Sequence, residues 1–320
     1  MIALATASVA AAAHGDALAA DSGEPCEALI EDDCPATDCL GPLDIWVVST
    51  RCLPGICSLP EEAALGIERL VGEPGCGRWE QAEVSDLVGE SSRPLVIFAH
   101  GNRYTPADAK AQGIALARRM SAEDGGSHRF VIFSWPSEQQ GILLKDARRK
   151  HERAHADGHY LAWFLCQLEP EQPVAIVGYS LGALVTAQAF EDLGRAAPSG
   201  VRWADRPGRT NLVFVTPAIR FDALTPRGPF RSALDGIDRF TLLINSRDEA
   251  LKFFPHIDPN VKADAMGYVG LSRRWLPVGI EYTANDAANV VGKQHTMWRY
   301  LESRSLSDRI ALGAIGGLSE

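Results

Sequence analysis

No apolar run in this 320-residue chain reaches the length of a membrane-spanning helix, and no such segment is expected in the mature protein. Positive charge is also scarce. Lys and Arg total 31 against 41 Asp and Glu, leaving a net charge of −10, which argues against a general affinity for nucleic acid or anionic membranes. No C-x-x-C pair occurs, and no histidine lies near the early cysteines, so a structural zinc site there is disfavoured. Neither an internal repeat nor a long linker divides the chain, whose length suits one α/β domain.

What is present is unevenly placed. Cys26, Cys34, Cys39, Cys52, Cys57 and Cys76 all fall in the first quarter, in a Pro/Gly/Asp-rich setting. Six such residues read as up to three disulfides in an oxidising compartment, with the pairing left open. Ahead of them, residues 2–13 are small and apolar and Ala17-Leu18-Ala19 is an A-x-A pattern. A signal peptide over 1–19 is therefore expected, although its positive n-region is missing. Residues 20–43 then form a Cys-rich extension, and the main domain covers 44–320. Cys166, within "YLAWFLCQL", is expected to be a core thiol.

From residue 43 onward short apolar runs alternate with helical patterns. Strands are expected at 43–50, 78–84, 94–100, 129–135, 174–179, 211–216 and 239–245, with helices over 107–120 and 145–168 among those between them. Alternation on this scale implies a parallel sheet covered by helices on both faces.

The stretch "PVAIVGYSLGALVTAQAF" places G-x-S-x-G between an apolar strand and a helix that Gly194 would cap. Gly178 and Gly182 suit a sharp strand-to-helix turn, because no Cβ obstructs close approach there. Such a turn exposes Ser180 as a nucleophile elbow does.

Together, "VIFAHGNRY", "VIFSWPS", "VAIVGYSLGA", "INSRDEAL" and "KQHTMWRYL" resemble the serine α/β-hydrolases, closest to a bacterial branch with an S-W-P-S strand end and undefined substrates. That resemblance spans about residues 44–305 and implies an α/β-hydrolase fold. It implies a triad in the order Ser, acid, His. Only His256 and His295 follow Ser180, and His295 stands where the base is expected. Asp248, just beyond a strand end, is the expected acid, with Glu249 and Asp222 as alternatives; an aspartate here can equally serve as a helix N-cap. Backbone N–H groups of Leu181 and Asn102 would form the oxyanion hole, leaving His100 a structural role.

A competing motif is His151-Glu152-Arg153-Ala154-His155, which spells the H-E-x-x-H signature of zinc peptidases. Helical projection turns Glu152, His155 and His159 towards water, where a catalytic zinc is disfavoured. The expectation is an exported serine esterase acting on small-molecule or lipid esters, requiring neither metal nor organic cofactor. An inactive hydrolase fold serving as an envelope binding module, and a zinc metallopeptidase, are the alternatives.

Overall fold

The computed structural model describes residues 43–89, 93–141, 143–195, 202–257 and 262–318. The expected signal peptide and nearly all of the Cys-rich extension, with Cys26, Cys34 and Cys39, lie outside them.

In chain order, β1 (Asp44–Ser49), β2 (Gly66–Val71), β3 (Arg78–Ala82) and the short α1 (Val84–Val88) lead into the alternating part. This comprises β4 (Leu95–Ala99), α2 (Pro106–Asp124), β5 (Arg129–Ser134), α3 (Leu143–Leu165), β6 (Val174–Tyr179), α4 (Leu181–Arg195), β7 (Thr210–Val215) and β8 (Arg239–Ile244). The short helices α5 (Glu249–Lys252) and α6 (Met266–Val269) precede β9 (Glu281–Asp286). Finally, α7 (Ala288–Val291), α8 (Met297–Glu302) and α9 (Arg304–Ile315) follow it.

These strands form one sheet in the order β3-β2-β1-β5-β4-β6-β7-β8-β9. Only the β1–β2 and β2–β3 pairings are antiparallel; the rest are parallel. The fold is the expected α/β-hydrolase type. Strands β4 to β7 are buried along their whole length, which is why they read as unbroken apolar runs. Val96, Phe98 and Val177 pack on one face with Leu116 of α2 and Ile310 of α9. Ile97, Ile176 and Phe214 pack on the other with Leu161 of α3 and Leu184 of α4.

Sheet order fixes where a site can form. From β4 the chain steps to β5 on one side, then returns to β6 on the other. Right-handed crossovers in opposite directions put α2 and α3 on opposite faces. A crevice therefore opens beyond the carboxyl ends of β4 and β6, the position that open α/β sheets use for ligands.

Two strands escape a periodicity search, β2 and the edge strand β9. In "GIERLV" and "EYTAND" polar residues interrupt the apolar pattern, and β9 is mostly exposed. Edge strands with polar faces are protected from pairing with other chains. Gly194 lies within α4 rather than capping it, and a Cβ there would meet Ser232 O at 2.6 Å.

Other details also differ from expectation. The helix face carrying His155 and His159 does not face water, because α4 covers it. His159 is buried and its Nδ1 lies 2.5 Å from Asp192 Oδ2, while His155 is half-buried with Nδ1 2.8 Å from Gln188 Oε1. Cys52 and Cys57 carry free, exposed thiols and are not bridged to each other; Cys76 is exposed too. Both thiols sit in the irregular segment between β1 and β2. Cys166 is half-buried rather than a core residue, its thiol pushed up to about 11 by burial. Among the described residues no helix is long and apolar enough to cross a membrane.

Candidate active site

Ser180 sits between the last residue of β6 and the first of α4, and adopts φ 53°. A left-handed backbone is unfavourable for serine and persists only where the surroundings impose it. Here its N–H donates to Val215 O (3.0 Å), and its carbonyl accepts from Ala183 N (3.1 Å) and Ala218 N (3.0 Å). The flanking glycines permit the turn. A Cβ on Gly178 would lie 2.8 Å from Ala183 Cα, and one on Gly182 would lie 1.9 Å from Ala99 O. Helix α4 thus starts pressed against the end of β4.

The structure brings Ser180, His295 and Asp248 together. Ser180 Oγ is 2.8 Å from His295 Nε2, and His295 Nδ1 is 2.6 Å from Asp248 Oδ2. Asp248 is fully buried, whereas the His295 side chain is partly open. The Asp248 carboxylate has two partners: it is the N-cap of α5, its Oδ1 accepting from Leu251 N at 3.0 Å, while Oδ2 faces the imidazole. One carboxylate is therefore fixed by the helix and in turn orients the ring.

The other candidates are engaged elsewhere. Glu249 is turned outward to Lys293 Nζ (2.7 Å), and Asp222 accepts two hydrogen bonds from Arg220. His256 is exposed and lines the same cavity, but the imidazole that meets Ser180 Oγ is that of His295. Among the described residues no cluster of three His, Cys, Asp or Glu side chains could hold a metal ion, so His151-Glu152-x-x-His155 lacks a third ligand there.

Residue types alone did not single out Asn245. This buried asparagine ends the β8 run, and its Nδ2 donates to the carbonyls of Gly292 (2.9 Å) and Gln294 (3.2 Å). It ties the His295 loop to the strand that leads to Asp248. A lone polar residue closing "FTLLIN" was the available signal. Tyr179 supports the imidazole from below, the two rings stacked at 5.4 Å. Burial raises its phenol far above the usual range, so it remains neutral.

A cavity of about 760 Å3 opens over Ser180. That falls within the usual range for small-molecule sites. Leu144, Ala147, Phe253, Phe254 and Ile257 make one wall apolar; Asn102, Asp108 and Gln112 line another side. Leu181, at the first position of α4, also lines it, where a helix's first N–H groups have no intrahelical partner. Gly101 approaches so closely that a Cβ on it would be 3.1 Å from Ser180 Cβ, bringing the Gly101–Asn102 peptide beside the hydroxyl.

His100 is fully buried, and its ring stacks between Tyr104 and Trp135. Burial drives its pKa down, to about 3, so it stays neutral.

Two solved structures resemble the chain at a low level. One is a C6-C4 SN3 inhibited esterase B from Lactobacillus rhamnosis, with 13% identity over 82% of this chain and 83% of that one, at a TM-score of 0.37. The other is a PEG-bound cold-adapted esterase from an Arctic intertidal metagenomic library, with 16% identity over 79% and 97%, at a TM-score of 0.35. No curated protein matches. A family model described as an alpha/beta hydrolase of unknown function (DUF900) matches residues 78–271, more than half of the chain and inclusive of the Ser180 elbow and Asp248. The chain belongs to that α/β-hydrolase family.

Proposed function

We propose that the protein is a serine hydrolase that cleaves carboxylic esters through an acyl-enzyme. The observation that carries this reading is the unbroken Ser180–His295–Asp248 contact, at 2.8 and 2.6 Å, beneath a largely apolar cavity. A serine hydroxyl is a weak nucleophile until a base accepts its proton. In this reading Ser180 Oγ attacks the ester carbonyl carbon while His295 Nε2 takes the hydroxyl proton. Asp248 steadies the resulting imidazolium through Nδ1–H.

The carbonyl oxygen becomes an oxyanion and accepts from the N–H groups of Leu181 and Asn102. His295 then returns the proton to the departing alkoxide, and the alcohol leaves an ester on Ser180. Water repeats the cycle: His295 deprotonates it, the new tetrahedral species collapses, and the carboxylic acid and free Ser180 are released. None of these steps requires a metal.

Labelling by a fluorophosphonate probe, followed by an ester screen of graded acyl length, tests the reading. Wild-type protein should label and turn over ester, and Ser180→Ala should do neither while keeping its fold. Equal labelling of both proteins refutes the assignment of Ser180.

A further inference from the structure

The S-W-P-S segment, residues 134–137, lies against the loop that carries Asn102, and Trp135 and Ser137 spend polar groups on that loop. Trp135 Nε1–H donates to His100 O (2.8 Å), and the Trp135 backbone N–H donates to His100 Nε2 (3.2 Å). With Nε2 accepting, the ring proton of neutral His100 resides on Nδ1, which donates to Gly101 O (2.9 Å). Residue 137 holds the next two residues of the loop. Its carbonyl accepts from Arg103 N (2.7 Å) and its Oγ from Tyr104 N (3.1 Å). Arg103 has φ 65°, a conformation that needs such restraint.

Arg51 braces the assembly from behind. Its guanidinium donates to Tyr104 O (3.1 Å) and Ser134 Oγ (2.8 Å) and pairs with Glu138 (2.7 Å). Its own segment is tied to α3, where Asp157 accepts from Thr50 Oγ1 (2.6 Å) and Arg153 donates to the carbonyls of Thr50 and Leu53.

The geometry of a peptide plane converts these contacts into a direction. The Gly101–Asn102 bond is trans, so its N–H points opposite to its C=O. Pinning Gly101 O on His100 therefore turns the Asn102 N–H away from the buried ring. We infer that Trp135 and Ser137, braced by Arg51, are positioning residues that aim the Asn102 N–H at the oxyanion. They touch neither substrate nor Ser180. The inference rests on the ester-hydrolase reading above and gives the S-W-P-S segment a role in it.

Two conservative changes test it in the full chain, Ser137→Ala and Trp135→Phe, each after circular dichroism confirms folding. The probes are an ester substrate, a trifluoromethyl ketone that adds Ser180 Oγ to form an oxyanion, and the matching alcohol, which cannot add. Removing an oxyanion donor outright costs about 100- to 1,000-fold in kcat, so loosening one should cost roughly 10- to 100-fold. That loss is expected in kcat and in ketone affinity, while KM and alcohol affinity stay within about twofold. Ser137→Thr, which keeps an Oγ, should restore most of the rate.

Folded variants with unchanged kcat and ketone affinity overturn the inference. Equal losses for ketone and alcohol overturn it too, because that pattern marks general damage to the cavity. If wild-type protein neither labels nor turns over ester, the hydrolase reading fails and the inference falls with it; an active wild type with unaffected variants sinks the inference alone.

Discussion

Asp248→Asn separates the two duties of that residue. The amide can keep its oxygen on Leu251 N, so the start of α5 should survive and stability should change little. The other half of the side chain becomes an NH2 facing His295 Nδ1 across the 2.6 Å contact. Two donors cannot share it. The imidazole must therefore move its proton to Nε2, the atom that has to accept from Ser180 Oγ at 2.8 Å. In a serine-protease triad that error lowers kcat about 10⁴-fold. At about 1.36 kcal/mol per decade, this corresponds to about 5.4 kcal/mol of transition-state stabilisation.

Asp248→Ala should add a stability loss, because it leaves the Leu251 N–H uncapped at a cost of about 1–3 kcal/mol. The assay is ester turnover at neutral pH beside urea denaturation of each variant. An Asn variant within tenfold of wild type would refute the tautomer reasoning, and an Ala variant as stable as wild type would refute the capping role.

Gly182→Ala should destabilise the fold by about 1–3 kcal/mol or more, since the new Cβ starts 1.9 Å from Ala99 O; an unchanged urea midpoint contradicts this. His100 binds protons more weakly folded (about 3) than unfolded (6.5), so the unfolded state holds more protons between those values and stability falls as pH drops through that window. Replacing His100 with Asn should flatten the dependence, and denaturation at stepped pH reads the difference. The pair of changes His151→Ala and His155→Ala, or added chelator, should leave most ester turnover intact; silencing by either favours the zinc alternative. Cys52 and Cys57 should react with a maleimide in the native protein, and a full-length protein resistant to alkylation contradicts their free state. Protein recovered from its native host should begin near Ala20 if the N-terminus is a signal peptide, and sequencing that starts at Met1 counts against export.

The fold was legible where burial was total. Strands β4 to β7 lie in the middle of the sheet and are buried on both faces, so composition reveals them. Edge strand β9 has one neighbour and one wet margin, and nothing in "EYTAND" distinguishes it from a loop. The helix face bearing His155 and His159 misled for the opposite reason. Projection around α3 locates a polar stripe but cannot say that α4 will cover it, nor that Gln188 and Asp192 will be there to meet the histidines.

For the site, sequence by itself determined the elbow. Strand, G-x-S-x-G and helix are local, and the two glycines are required by contacts that any such turn creates. Chain order narrowed the expected base to His256 or His295. Which of them meets Ser180 is a tertiary matter, because contact with a residue 115 positions away depends on how the segment after β9 is seated. Likewise Asp248 over Glu249 is a matter of which way two adjacent side chains point at the start of α5: one inward to the ring, the other outward to Lys293. The S-W-P-S segment was visible as a pattern but mute as chemistry. Its hydrogen bonds join the end of β5 to the loop after β4, two strands that pair in parallel but are separated along the chain by the whole of α2, so only the closed crossover sets residue 135 beside residue 100.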